Sequence, residues 1–268
     1  MTDTPEADAE RAADDLGAAW QPLAAAQAAV LTALAAGRRT ARLASALAAF
    51  ADAIRTFHHA VEAVIGDFAH REVARLYEEA ARAATAGIGR TFEWTPIHQD
   101  ALRALTADTY SDLLRRAQET VRASGAFYRA ARAAARHDLP LLTADPAGTP
   151  AAARALADRL AATYRLDRVV YRNGTRMPVL AWAEAALHTR AAVATNTGTL
   201  AAAREHGINQ VEVFDGYDCG WTSHPDPDKA VRTLRTVEDA AEWPISHPRC
   251  TRRFEPWPGG TPAEDDGR

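Results

Sequence analysis

Residues 43–68 read LASALAAFADAIRTFHHAVEAVIGDF, and the spacing of their apolar side chains decides the fold class. The spacings alternate between four and three, which predicts one long helix with an apolar stripe along a near-parallel neighbour. The stripe comprises Leu43, Leu47, Phe50, Ile54, Phe57, Val61, Val64 and Phe68. We expect it to form an intramolecular core, and a coiled coil with a partner protein is the alternative with the same pattern. His58 and His59 lie at or beside the stripe and are expected to be solvated or capping residues.

A second apolar stripe precedes this helix. It has the same alternating spacing and comprises Leu16, Trp20, Leu23, Gln27, Val30 and Leu34. The segment from Leu16 to Gly37 is uncharged and long enough to cross a membrane. Because its apolar residues fall on one stripe and most of the others are alanine, we predict an amphipathic helix and no membrane span. A third helix is expected from about His98, which completes a bundle-like arrangement of long N-terminal helices.

A linker and a change of pattern follow the helices. Prolines and a glycine between Pro140 and Pro150 favour a domain boundary there. Beyond it we expect a short helix, a β-hairpin with an Asn-Gly turn, another helix, and a strand at Gln210–Phe214 with Trp243–Ser246 as its partner. The fold class is therefore mainly α, with a small α+β C-terminal module. The predicted domains are residues 1–145, helical, residues 146–258, α+β, and a disordered tail at residues 259–268.

The third helix carries a cluster of arginines. Between Leu113 and His137 there is a single acid, Glu119, and six arginines: Arg115, Arg116, Arg122, Arg129, Arg132 and Arg136. Such a face could contact DNA phosphates or an acidic ring of another protein, and a solvated face is the equal alternative. The net charge of −4 at pH 7 argues against a chain that is wholly a nucleic-acid binder. Weak, sequence-independent DNA binding is the prediction for this helix.

Both cysteines of the chain lie near its C-terminus, each close to a histidine. Four residues separate Cys219 from His224, two separate His247 from Cys250, and 22 lie between the pairs. Thiolate and neutral imidazole suit tetrahedral zinc, so the four residues are candidate metal ligands. The alternatives are a disulfide or two unrelated buried thiols with surface histidines. The acidic start lacks the basic region of a secretion signal, which predicts a reducing compartment and favours the metal over the disulfide.

Several segments in this part of the chain carry a resemblance to a known family. They are the YRNG turn at 171–174, the ALHTR helix segment at 186–190, GINQVEV from Gly207, the aspartate-glycine turn with Cys219, and ISHPRCTRRFEPWP at 245–258. In this order they resemble the Mu F-like minor head proteins of tailed phages, the phage head morphogenesis or minor capsid family. The family closes on His-Pro-Asn-Cys-Arg, and Arg249 stands here in place of the asparagine. Cys219 and His224 stand in place of an earlier Cys-x-x-Cys pair.

The resemblance implies a low-copy structural protein of the virion, in the capsid interior, which passes through the host cytoplasm during assembly. Its partners would be portal and capsid or scaffold proteins, with DNA as a further contact, and no catalysis is required. The alternative is a metal-dependent nuclease or a toxin-like enzyme domain, suggested by four acids near the histidines: Asp215, Asp218, Asp226 and Asp228. Four closed N/S ligands argue for a structural metal, since a catalytic one keeps an open position. We therefore expect a protein that is not an enzyme.

Overall fold

Long helices make up most of the computed structural model, which describes residues 5–37, 40–143, 149–170, 175–214, 233–248 and 250–259. The α-helices are α1 Pro5–Ala35, α2 Ala41–Asp67, α3 Val73–Gly87, α4 Pro96–Ala133, α5 Leu139–Thr143, α6 Thr149–Thr163, α7 Val179–Glu205 and α8 Val237–Glu242. The strands are β1 Arg168–Val170, β2 Arg176–Pro178, β3 Gln210–Phe214, β4 Leu234–Thr236 and β5 Arg253–Pro256. The long N-terminal helices pack together and short antiparallel sheets follow, so the predicted fold class is confirmed.

The first stripe is buried within the chain. All six predicted members in α1, from Leu16 to Leu34, are buried. Gln27, the polar member, is accommodated because its Nε2 donates a hydrogen bond to the Tyr164 carbonyl oxygen at 2.5 Å. α1 ends at Ala35, and Gly37 follows it with a φ of 69°, the left-handed conformation that is common just after a helix. The predicted intramolecular helix is confirmed.

The stripe of α2 is also an internal core over most of its length. Phe57 is buried, and its ring meets that of Trp20 edge to face, with centroids 4.5 Å apart. Towards the end of the helix Ile65 is buried in place of the predicted Val64, which is half-buried. Ile65 lies four residues after Val61, an ordinary helical spacing, and a π-helical turn at Phe68–Glu72 then joins α2 to α3.

The chain folds into two compact units, each built from separate stretches of sequence. The first unit comprises Met1–Glu10, Asp67–Tyr110 and Ala185–Arg268, and the second comprises Arg11–Gly66 and Ser111–Glu184. The predicted boundary after residue 145 falls at positions 144–148, outside the described residues, as does nearly all of the predicted tail. The division into residues 1–145, 146–258 and 259–268 stays a prediction.

The first unit contains a three-stranded antiparallel sheet in the order β4-β3-β5. Val211 lies opposite Arg235 and Val213 opposite Phe254. Apolar residues of the sheet pack against α7 and α8 in one core, formed by Leu200, Ala203, Val211, Val213, Val237, Ala240 and Phe254. The second unit contains the predicted hairpin, in which β1 pairs antiparallel with β2 and Val169 lies opposite Met177. The turn of this hairpin lies outside the described residues.

The prediction that Trp243–Ser246 pairs with β3 is wrong. The partners are β4 and β5, which lie on either side of that segment in sequence. Pro244 has no N–H for a strand ladder, and its carbonyl oxygen accepts a hydrogen bond from Asn196 instead. Phe254 of β5 supplies the buried side chain that a strand at this position requires.

One described helical segment, Ala7–Ala35 of α1, is long and apolar enough by composition to cross a membrane. Core helices of soluble proteins pass the same test. Its stripe from Leu16 to Leu34 is buried in the protein. The prediction of no membrane span stays a prediction.

Candidate functional site

The segment that contains His247 and Cys250 is fixed to α7 by one buried side chain. Asn196 is only 1% exposed, and its Nδ2 donates hydrogen bonds to the carbonyl oxygens of Pro244 at 2.7 Å and Arg252 at 2.8 Å. These two carbonyls lie before and after the His247–Cys250 turn. Arg252 is also buried, and its guanidinium donates to the Trp243 carbonyl oxygen at 3.3 Å. The hydrogen bonds of Asn196 and Arg252 therefore hold the two ends of the turn together.

His247 and Cys250 lie on a tight turn and are both buried. The Cys250 backbone N–H donates to the His247 carbonyl oxygen at 3.0 Å, which closes the turn. His247 Nδ1 is 2.9 Å from the Pro248 carbonyl oxygen. A carbonyl can only accept, so this bond places the ring proton on Nδ1, and Nε2 is the nitrogen that would ligate a metal. In metal-binding histidines, the ring nitrogen that does not bind the metal commonly donates a hydrogen bond of this kind, which orients the ring.

The other half of the predicted metal site cannot be placed beside this turn. Cys219 and His224 lie outside the described residues, as do Asp215, Asp218, Asp226 and Asp228 of the enzymatic alternative. The buried turn supplies one thiol and one imidazole, which fit half of a structural zinc site. The four-ligand site, the disulfide alternative and the nuclease alternative remain predictions.

The predicted arginine cluster divides into two groups. Five members are exposed on α4 and the π turn after it, namely Arg115, Arg122, Arg129, Arg132 and Arg136. Arg115 pairs with Asp112 at 3.2 Å, and the guanidinium of Arg132 lies 5.4 Å from the centre of the Tyr128 ring. Arg116 differs, since it is half-buried and pairs with Glu119 at 3.1 Å. The exposed group is placed where a polyanion can reach it, and DNA binding by it stays a prediction.

A buried polar network in the first unit was not anticipated from the sequence. His98 has no exposed surface, its Nδ1 is 2.8 Å from the Tyr77 hydroxyl, and its Nε2 is 2.6 Å from a Glu205 carboxylate oxygen. An ionised carboxylate only accepts, so Nε2–H donates to Glu205, and in the neutral ring Nδ1 accepts from the hydroxyl of Tyr77. The network ties α3, the start of α4 and the end of α7 together.

Aromatic rings pack around the buried histidine of this network. The ring of Phe92 lies 4.9 Å from that of His98 and the ring of Trp94 lies 6.3 Å from it, measured between centroids. Burial raises the pKa of Tyr77, and the negative charge of Glu205 raises it further. The phenol therefore stays protonated and acts as a hydrogen-bond donor. A buried, fully paired set of this kind suits a structural role.

A small group of possible metal ligands lies on α2. One ligand atom from each of His58, His59 and Glu62 lies within 4.8 Å of the others, and His58 Nδ1 is 3.7 Å from Glu62 Oε2. His59 is exposed and the other two are half-buried. Three donors on an accessible helix face fall short of the four that a structural zinc site uses. The group fits the solvated face expected for the two histidines.

The chain was also compared with known proteins. No protein-family model matches it, nor does any curated protein or any solved structure.

Proposed function

We propose that this chain is a phage minor capsid protein of the Mu F-like kind, a low-copy structural component of the head that associates with portal and capsid or scaffold proteins during assembly. It resides in the capsid interior and passes through the host cytoplasm before packaging. Its role is structural, and its contact with DNA, through the exposed arginines of α4, is secondary and independent of sequence.

One observation carries the proposal. Three of the segments that resemble the family, ALHTR, GINQVEV and ISHPRCTRRFEPWP, lie together in the first unit. The strand from the GINQVEV segment is β3, and it pairs with β5 from the closing segment, with Val213 opposite Phe254. The helix that contains the ALHTR segment is α7, and its Asn196 binds both ends of the closing turn. A chance likeness spread over separate segments would not require them to share a sheet and a hydrogen-bonded anchor.

The use of buried polar groups favours a structural protein over an enzyme. Asn196 and Arg252 donate hydrogen bonds to backbone carbonyls. Tyr77 and Glu205 are both hydrogen-bonded to His98. An active site keeps such groups available to a substrate, whereas these hold segments of the chain together. The small sheet gains an anchor that its three short strands do not provide themselves.

The test is incorporation into heads. The tagged chain is produced together with portal and coat proteins of the same phage, and assembled heads are purified by sedimentation. We expect the wild-type chain in the heads and loss of incorporation for Asn196→Ala, because the closing segment then loses both of its anchoring bonds. Thr197→Ala is the matched control, since its hydroxyl donates to Val193 within α7 at 2.7 Å. A wild-type chain that sediments apart from the heads would overturn the proposal.

A further inference from the structure

We propose that an arginine-lined pocket of the second unit binds a phosphate dianion, either inorganic phosphate or the terminal phosphate of a phosphomonoester. The pocket measures about 350 Å³ and lies among α4, the end of α6 and the β1–β2 hairpin. Its charged lining consists of one acid, Glu119, and four arginines: Arg116, Arg165, Arg168 and Arg176. This assignment is independent of the proposed function.

The positive charges of the pocket exceed the negative charges that face them. Arg116 pairs with Glu119 at 3.1 Å. Asp167 is shared, at 3.4 Å from Arg165 and 3.7 Å from Arg168. Among the described residues, the guanidinium groups of Arg165, Arg168 and Arg176 have only the carboxylate of Asp167 as an ion-pair partner, which leaves two positive charges in excess. Arginine remains protonated at any physiological pH, so the protein cannot remove this excess by releasing protons.

Arg168 supplies an unused donor. Its Nε is closed off from solvent and donates no hydrogen bond, and the carboxylate 3.7 Å away is too distant to accept one. A buried donor without an acceptor is costly, and native proteins seldom leave one. Buried Leu166 and Val169 also line the pocket, and such apolar walls strengthen the attraction between an anion and the guanidinium groups. The Arg168 side chain as a whole is partly exposed, so an oxyanion in the pocket can reach its other guanidinium nitrogens and offset the positive charge.

The chemistry favours a phosphate with two charges. Planar guanidinium groups match tetrahedral oxyanions through paired N–H···O bonds. A phosphomonoester is close to doubly charged at pH 7 and balances the excess, whereas a phosphodiester of DNA carries one charge and is substituted on both sides. The pocket is also larger than a phosphate ion, which leaves room for an ester group.

The test is calorimetric titration of the full chain with inorganic phosphate, with chloride adjusted to hold ionic strength constant. We expect saturable binding that Arg168→Gln weakens by roughly tenfold or more, since a charge-assisted hydrogen bond is lost. Arg176→Gln is a second variant at an exposed position, where folding is not at risk, and it should weaken binding as well. Arg115→Gln is the matched control, because Arg115 is next to Arg116 in sequence but does not line the pocket.

Further titrations separate the sources of the phosphate. Adenosine 5′-monophosphate that binds more tightly than inorganic phosphate, with adenosine inactive, would assign a phosphomonoester. Inorganic phosphate that binds more tightly would assign the free ion. Absence of phosphate binding, equal affinity in wild type and Arg168→Gln, or binding of duplex DNA alone would overturn the proposal.

Discussion

At the residue scale, Gly198 of α7 lies where this helix closely approaches α3 in the first unit. A Cβ placed on it would lie 2.3 Å from the Tyr77 carbonyl oxygen of α3. We expect Gly198→Ala to lower the free energy of unfolding by about 3 kcal/mol, because backbone must move to make room. Gly125→Ala in α4 is the control, since its Cβ would meet only a side-chain atom at 3.6 Å. That variant should gain up to ~1 kcal/mol, the usual preference for alanine in a helix. Urea denaturation measures both, and equal effects would contradict the packing described.

The raised pKa of Tyr77 predicts how the stability of the protein depends on pH. Its pKa is raised by burial and by Glu205, so the folded protein keeps the phenolic proton above pH ~10, where an unfolded chain releases it. Unfolding then releases a proton, and the free energy of unfolding falls as pH rises. The stabilisation is complete below pH ~10 and is lost as pH rises towards the folded-state pKa. Tyr77→Phe should show a shallower decline between about pH 9 and about pH 11, by denaturation at each pH. Parallel declines in the two proteins would exclude this role.

Sequence spacing identified buried apolar residues far better than it identified polar partners. Trp20 and Phe57 were expected in the core because helical periodicity alone puts them on a buried face. Tyr77, His98 and Glu205 are distant in sequence, and their association depends on how three helices pack. Nothing in the sequence around Asn196 predicted its role. That role depends on two carbonyl groups about 50 residues later, at Pro244 and Arg252.

At the element scale, the α2 stripe is a core surface and not a free docking face. Phe57 packs on Trp20 in the second unit. Phe57→Ala should lower the free energy of unfolding by about 3–5 kcal/mol, through lost burial and the cavity left behind. The neighbouring exposed Thr56→Ala is the control and should stay within about 0.5 kcal/mol of wild type. Unchanged stability for Phe57→Ala, with loss of a bound partner protein, would show that the stripe serves binding instead.

The helices were predictable as elements and the sheet was only partly so. Apolar periodicity predicted α1 and α2, because this signal is local, and glycines with positive φ, Gly37 and Gly207, follow α1 and α7. Strand pairing is not local, and the segment around Pro244 was assigned to a sheet that is completed by β4 and β5. The π turn at Phe68–Glu72 also lacked a signal in the sequence, and so did the burial of Ile65 in place of Val64.

At the scale of the whole molecule, the metal hypothesis predicts a stabilising link across the C-terminal module. We expect about one zinc per purified chain, with four protein ligands. Cys250→Ser should lower Tm, because a structural zinc site contributes folding free energy. In protein stripped of metal by a chelator, the difference between Cys250→Ser and wild type should largely disappear. A difference that persists without metal would assign Cys250 to packing alone, and zinc-free native protein would end the hypothesis.

The claim that the chain is a minor head protein is tested most directly by its copy number in purified phage heads. Quantitative mass spectrometry of heads from cells that carry the intact phage genome gives the molar ratio of this chain to the coat protein. The account predicts that the chain co-sediments with the heads at a small, reproducible fraction of the coat protein. Heads that lack the chain while it accumulates in the soluble fraction would contradict the account.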